Sequence, residues 1–404
     1  MRMLALLLLL AVPAQAVEIL PFYQLEFMGG LYYFSGTQAP LSGNAAGLAA
    51  PAIVVNEQWT VLPTISARYQ GTKSIVDLIG PGTLFQERME HRLGLKGVWT
   101  PEKSKWRFKP SIDYRMELLN ETRDESWGNG LFDYRMIDLG FEAEYVYLEP
   151  YSVRAAFDIV LTDFPNYTSL ESQIALDFQG QPISRELIGD QVLNSRTEML
   201  TLAASRGFLE QGTLSGTLVL QRQTYGKQMV VDNSGQLGGD PRRDIVAQLS
   251  GVVRWPFELT PRTRLTAAWT LGLENRVSNQ NSFDAQRIVY QSGFYNSTRI
   301  FFGPDANLSF GDDRAPILWQ NSIRFSARRY PHRRVQDASG AYENDTLRQH
   351  EWTLATTLIY PMAPRFKLLM SLQAGRASAN QGFEQFYKYS YSVTSALVGL
   401  RFEY

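Results

Sequence analysis

The side chains able to do chemistry are few and poorly spaced for it. The chain has three histidines and no cysteine, which removes thiolate nucleophiles, thiolate metal sites and disulfides together. A serine nucleophile needs an imidazole within hydrogen-bond reach, and one known arrangement that supplies it is a His and a Ser two residues apart on one strand face. The three histidine contexts are His91-Arg92-Leu93, His332-Arg333-Arg334 and His350-Glu351-Trp352, so the pattern is missing. An Asp–His pair could instead activate water. His332 and Asp337 share one polar stretch, yet no second acidic pair stands at a definable spacing. Three dispersed imidazoles also make a poor ligand set for a metal. The sequence therefore predicts no enzyme, no metal and no cofactor.

Charge is more informative. One basic run, Arg328-Arg329-Tyr330-Pro331-His332-Arg333-Arg334, suits an external strand end and loop that contacts lipid phosphates or simply stays solvated, or else an entry patch for anionic ligands or glycan acids. The rest is balanced. Without Arg2 there are 38 basic and 40 acidic side chains, a net charge of −2, which argues against nucleic acid as a partner. Residues 1–16 read as a secretory signal: Arg2, an apolar core from Leu4 to Val12, and an Ala14-Gln15-Ala16 cleavage site. The remainder, 17–404, is expected to be one domain. No stretch approaches the ~18 apolar residues that a membrane helix needs.

The elements that would position the charges are strands. Period-2 alternation predicts sixteen, near 22–34, 44–55, 58–70, 86–99, 105–118, 132–147, 151–162, 193–205, 213–225, 243–257, 263–276, 294–310, 317–330, 347–360, 365–377 and 388–404. In 105–118, Trp106, Phe108, Ile112, Tyr114, Met116 and Leu118 alternate with Arg107, Lys109, Ser111, Asp113, Arg115 and Glu117. The apolar faces start or end in Trp, Tyr or Phe, as lipid-facing bands do. Gly29-Gly30 and Pro51 weaken the first two strands, leaving fourteen as the alternative, with residues 17–55 as plug or periplasmic extension. A secreted soluble β-sandwich is the competing architecture, but so many strands of ten or more residues exceed its usual lengths.

The connections alternate in length. Short Pro-containing turns lie at 100–103, 148–150, 259–262, 311–316 and 361–365, and longer polar loops near 119–131, 163–192, 226–242, 277–293, 331–346 and 378–387. Short periplasmic turns opposite long external loops are the layout of a membrane barrel. Counted back from a periplasmic C-terminus, every Pro turn falls on the periplasmic side.

The last strand ends on an aromatic. Tyr404, Phe402, Leu400, Val398 and Ala396 share one face, and Glu403, Arg401, Gly399 and Ser395 the other. With Gly399, Phe402 and Tyr404 the chain resembles the Gram-negative outer-membrane β-barrel superfamily, whose closing strand carries an assembly signal ending in an aromatic. Leu397 departs from the related mitochondrial pattern, which wants a polar residue there. The resemblance spans nearly the whole mature chain and singles out no family within it. It implies an outer-membrane location, contact with membrane lipids and lipopolysaccharide, and handling by barrel-assembly machinery; a homo-oligomer stays open.

The fold expected is thus all-β, an antiparallel up-and-down transmembrane barrel. Sixteen strands enclose a channel where about eight pack shut. The inward faces carry Arg115, Glu117, Glu142, Glu144, Arg154, Asp158, Arg254 and Arg324, which would either set the selectivity of an aqueous pore or pair to close it. Loop 163–192, with Asp163, Glu171, Asp177, Glu186 and Asp190 against Arg185, could fold into the lumen or project as a lid or adhesive surface. A diffusion channel for small hydrophilic solutes is the function expected. The alternatives are an export or assembly barrel for a surface polysaccharide or other envelope component, and a sealed structural or adhesive barrel.

Overall fold

Lipid offers no partner to a backbone N–H or C=O, so strands cross a membrane only when the sheet closes on itself. The computed structural model of the chain closes with sixteen antiparallel strands. It describes residues 17–35, 37–38, 42–71, 74–75, 84–85, 87–120, 126–147, 151–168, 176–178, 181–183, 189–209, 211–284, 287–312, 314–384 and 389–404. Residues 1–16, expected to be a secretory signal, and most of residues 169–188, with Glu171, Arg185 and Glu186, lie outside the described residues.

The first four barrel strands are β1 (Tyr23–Phe34), β2 (Ser42–Ala49), β3 (Trp59–Gln70) and β4 (Glu87–Trp99). β5 (Trp106–Asn120), β6 (Tyr134–Tyr147), β7 (Tyr151–Asp163) and β8 (Ser195–Phe208) follow. The third group is β9 (Gly212–Val231), β10 (Leu237–Thr260), β11 (Thr263–Ser278) and β12 (Ser297–Asp312). β13 (Ala315–Gln336), β14 (Tyr342–Ala363), β15 (Phe366–Ala379) and β16 (Tyr391–Glu403) complete the circuit. Each strand pairs with its chain neighbours, and β16 returns to β1 from Gln24↔Glu403 to Phe34↔Val393. The first hairpin is part of the wall, which settles sixteen strands over fourteen. A short strand, Glu18–Leu20, pairs with Ala52–Val54 beneath it.

The weak-looking glycines close the barrel. A Cβ on Gly30 would meet the Ala396 carbonyl oxygen at 2.0 Å, and one on Gly399 the Phe27 carbonyl oxygen at 1.9 Å. Only glycine permits so close an approach of two backbones. Tyr404 adds the last rung, its N–H donating to Tyr23 O (2.9 Å) and its carbonyl accepting from Tyr23 N–H (3.0 Å). The Arg365 guanidinium sits 4.0 Å over its ring.

Alternation sorts the two faces. Leu93, Leu95, Ile112, Leu139, Phe157, Leu200, Leu249, Leu271, Ile300, Leu354 and Leu372 all point outward and are exposed, forming the lipid band. Aromatic rings gird its periplasmic edge: Trp59–Trp99 (5.8 Å between centroids), Trp99–Phe108 (5.5 Å), Trp106–Tyr145 (5.0 Å), Phe208–Trp255 (6.0 Å) and Phe366–Phe402 (5.2 Å). Polar groups facing lipid satisfy one another: Trp319 Nε1 donates to Thr356 Oγ1, which donates to Asn321 Oδ1, both at 2.8 Å.

Two expected loops are largely strand. β9 and β10 run 20 and 24 residues, β13 and β14 22 each, against 12 for β1 and β3. Residues 226–242 and 331–346 therefore build tall hairpins, each tipped by the same turn, Asp232-Asn-Ser-Gly-Gln236 and Asp337-Ala-Ser-Gly-Ala341. Asp337 Oδ1 accepts from Ser339 N–H, Ser339 O–H and Ala341 N–H at 2.8, 2.6 and 2.9 Å, and Asp232 repeats the set. Gly235 and Gly340 take positive φ, 81° and 86°, as the αL position of such a hairpin requires. The serine hydroxyl leads the donors that hold both carboxyls below their usual range.

Candidate functional site

The face turned away from the lipid band carries a lattice of ion pairs on four neighbouring strands, β4–β7. Register builds it. Lys109↔Glu142 and Arg107↔Glu144 stand opposite on β5 and β6, and Glu144↔Arg154 on β6 and β7. Lys109 Nζ lies 2.6 Å from Glu142 and 2.8 Å from Glu144, and Arg154 reaches Glu142 at 3.7 Å. Toward the membrane centre Arg92 Nε donates to both Asp113 oxygens at 2.8 Å. The Asp113 and Asp158 carboxylates lie over Gly94 and Gly140, 2.7 and 2.5 Å from where a Cβ would sit.

Near the external mouth the lattice is buried. Glu117, 1% exposed, is gripped by Arg115 (2.5 Å), Arg88 and the Tyr134 hydroxyl; Arg115 also reaches Glu90 at 3.0 Å. Its cover is an apolar cluster of inward-facing Leu119 and Tyr134 with Phe164, Tyr167, Val192 and Leu193. Phe164 N–H donates to Asn194 Oδ1 (2.7 Å), and Leu119 N–H to Asp133 Oδ1 (2.8 Å). Both feet of the long external arm are thus pinned against the inward face of β5 and β6. The arm's course over 169–188 lies mainly outside the described residues.

The adjoining wall differs. The inward residues of β8 are Ser195, Thr197, Met199, Thr201, Ala203 and Ser205, and those of β9 include Thr213, Ser215, Thr217, Gln221 and Gln223, paired as Ala203↔Thr217 and Ser205↔Ser215. None is charged. Higher up, within the tall hairpins, Arg242 is sealed: it forks onto Asp244 (2.9 and 2.7 Å), donates to Gln228 (3.0 Å) and lies 4.6 and 4.0 Å from the rings of Tyr225 and Tyr295.

All eight charged residues singled out from the sequence lie on the inward face. Arg115, Glu117, Glu142, Glu144, Arg154 and Asp158 come together on β5–β7. Arg324 is remote from them, on β13, held by Asp305 of β12 at 2.6 Å; Arg254 stands exposed on β10 with no ion pair among the described residues. Sequence reasoning missed Arg88, Glu90, Arg92, Lys96, Arg107, Lys109 and Asp113 as members of the lattice. Lys109 was visible in the alternation of β5, and the β4 residues follow the same period.

The histidines stay apart. His91 faces outward on β4 between Ala67 and Met116, His350 outward on β14, and His332 is exposed on β13. Among the described residues no group of three His, Cys, Asp or Glu could hold a metal.

A closed sixteen-stranded antiparallel barrel with an outward apolar band and an inward polar face is a transmembrane barrel of the Gram-negative outer membrane. No family model matches the chain, and no curated protein matches its sequence. Its structure is similar to outer-membrane-expressed OmpT of Vibrio cholerae (TM-score 0.47, 9% identity, 97% of this chain and 99% of that one). It is similar also to OccD3 of Pseudomonas aeruginosa (TM-score 0.47, 8%, 95% and 91%) and to a bacterial polysaccharide outer membrane secretin (TM-score 0.45, 8%, 95% and 98%). At these identities and scores the likenesses assign no substrate and no partner.

Proposed function

We propose that the barrel is a diffusion channel for small hydrophilic solutes, without catalytic activity, filtering by size and by the fixed charges of its walls. One observation carries the reading. Among the described residues, each inward ion pair joins side chains of one strand, of adjacent strands or of strands two apart; none spans the lumen. Charges that sealed a lumen would reach from wall to wall. Here they brace the walls they stand on, most densely β4–β7 and also β11–β13 and β15–β16–β1, while the β8–β9 wall offers short hydroxyl and amide side chains that compete little with water. Sixteen strands give a circumference wide enough for an aqueous path, and fixed wall charges bias which ions follow it.

The test is single-channel recording of the refolded mature chain, 17–404, in a planar bilayer. Steady nanosiemens-scale steps are expected. Thr217→Lys on the uncharged wall should move the reversal potential in a salt gradient toward anions without abolishing the steps. A folded, heat-modifiable barrel that never conducts would overturn the channel and favour a sealed or export barrel.

A further inference from the structure

The basic run Arg328–Arg334 is contiguous in sequence, but strand alternation takes it apart. Arg328 turns inward on β13. Arg333 is enclosed by the rings of Phe294, Tyr330 and Tyr389, 4.3, 5.6 and 5.5 Å from its guanidinium, and donates to the Tyr389 hydroxyl at 2.5 Å. Arg329 turns outward, and its direct cross-strand neighbour on β14 is another outward arginine, Arg348. β15 adds Arg376, opposite Trp352. All three are exposed. Like charges directly opposite on a sheet repel. Arg348 shares one exposed carboxylate, Asp345, at 2.9 Å, and Arg329 and Arg376 have no ion pair among the described residues. The matching position on the far side of the barrel carries less charge: outward Arg196 and Arg222 gather round Glu198 at 3.0 and 3.9 Å, leaving one net positive charge against two for Arg329, Arg348 and Arg376 with Asp345.

Four residues below Arg329 and Arg348, and flanked by Arg376 on the next strand, lies an apolar wall of Ile323, Phe325, Trp352 and Leu354, 43–46% exposed. With the short turns periplasmic, this boundary is the outer leaflet's edge. We propose that Arg329, Arg348 and Arg376 bind the phosphates of a phosphorylated glycolipid of that leaflet, the lipid A part of lipopolysaccharide, whose acyl chains lie along Ile323, Phe325, Trp352 and Leu354. Guanidinium forks suit phosphate oxygens, and a phosphate between Arg329 and Arg348 turns their repulsion into attraction. The inference does not depend on whether the lumen conducts.

The test is native mass spectrometry of the refolded full mature chain in detergent with added hexa-acyl lipid A. Wild type should retain one lipid A. Arg329→Gln/Arg348→Gln/Arg376→Gln should bind on the order of a hundredfold more weakly, while Arg196→Gln/Arg222→Gln should bind as wild type does. Dephosphorylated lipid A should be retained no better by wild type than by the triple variant. Should the triple variant lose its heat-modifiable fold, Arg376→Gln alone should still weaken binding by about fivefold. No retention by wild type, equal retention by the triple variant, or equal loss in the Arg196/Arg222 variant would each overturn the site.

Discussion

The walls β4–β7 and β8–β9 are alike outside and opposite inside. Both present lipid with the same kind of side chain, Leu139 and Phe157 on one and Leu200 and Leu220 on the other, all exposed. Inward, the first is a lattice of carboxylates and guanidinium or ammonium groups, and the second carries hydroxyls, amides and a few small apolar groups. The membrane constrains one residue in two and leaves the other free, so a barrel can place a filter on one wall without disturbing the band that anchors it. Within the charged wall burial also varies. Glu117 near the mouth is 1% exposed, Arg92 in the middle 52% and Lys109 toward the periplasm 17%, so the wall is driest at its mouth and wettest at its middle.

That gradient ranks the consequences of breaking it. Glu117→Gln removes the shared partner of Arg88 and Arg115 in a site closed by Phe164 and Leu193. Breaking the pairs of so deeply buried a carboxylate costs about 3 kcal/mol, the lower end of the usual range, because Glu90 still holds Arg88 and Arg115 at 2.9 and 3.0 Å; it is to be read as a shift in denaturant midpoint for unfolding from liposomes. Thr201→Ala on the uncharged wall should change the same midpoint by less than about 0.5 kcal/mol. Equal effects would dissolve the distinction between the walls. Lys109→Met, which leaves Glu142 and Glu144 to Lys96, Arg107 and Arg154 at 3.7–4.0 Å, should fall between, at about 1.5–3 kcal/mol. It should also make the pore more cation-selective, because two carboxylates lose their nearest counter-charge.

Much of this was legible from alternation. Strand number, the inward face of β5–β7 and the aromatic closure at Tyr404 all follow from a two-residue period and the membrane's demand on one face. The tall hairpins did not follow. Above the lipid an outward side chain need not be apolar, so around Arg329 and Arg348 the hydrophobic signal stops while the hydrogen-bonded ladder continues. A better guide was the repeated Asp-x-Ser-Gly at 232–235 and 337–340, a turn signature that marks a hairpin tip. The lattice partners were hidden for another reason. Alternation assigns a face, but which charge meets which depends on register, and Arg88 finds Glu117 only because Glu90 stands opposite Glu117.

The smallest effect is the most discriminating. Arg92→Gln breaks a two-pronged pair with Asp113 in the wet part of the wall, where an ion pair is worth at most about 1 kcal/mol. Ionic strength separates its two possible settings. At 1 M salt the screening length falls to about 3 Å, and a pair bathed by lumen water should contribute nothing measurable, so wild type and Arg92→Gln should unfold at the same denaturant concentration. Glu117→Gln should keep its full deficit at that salt, because ions do not enter beneath the Leu119–Phe164 cover. If instead Arg92→Gln proved as costly as Glu117→Gln and equally indifferent to salt, the wall would be dry from mouth to middle. A dry middle leaves no path for a hydrated solute, and the channel would fall with it.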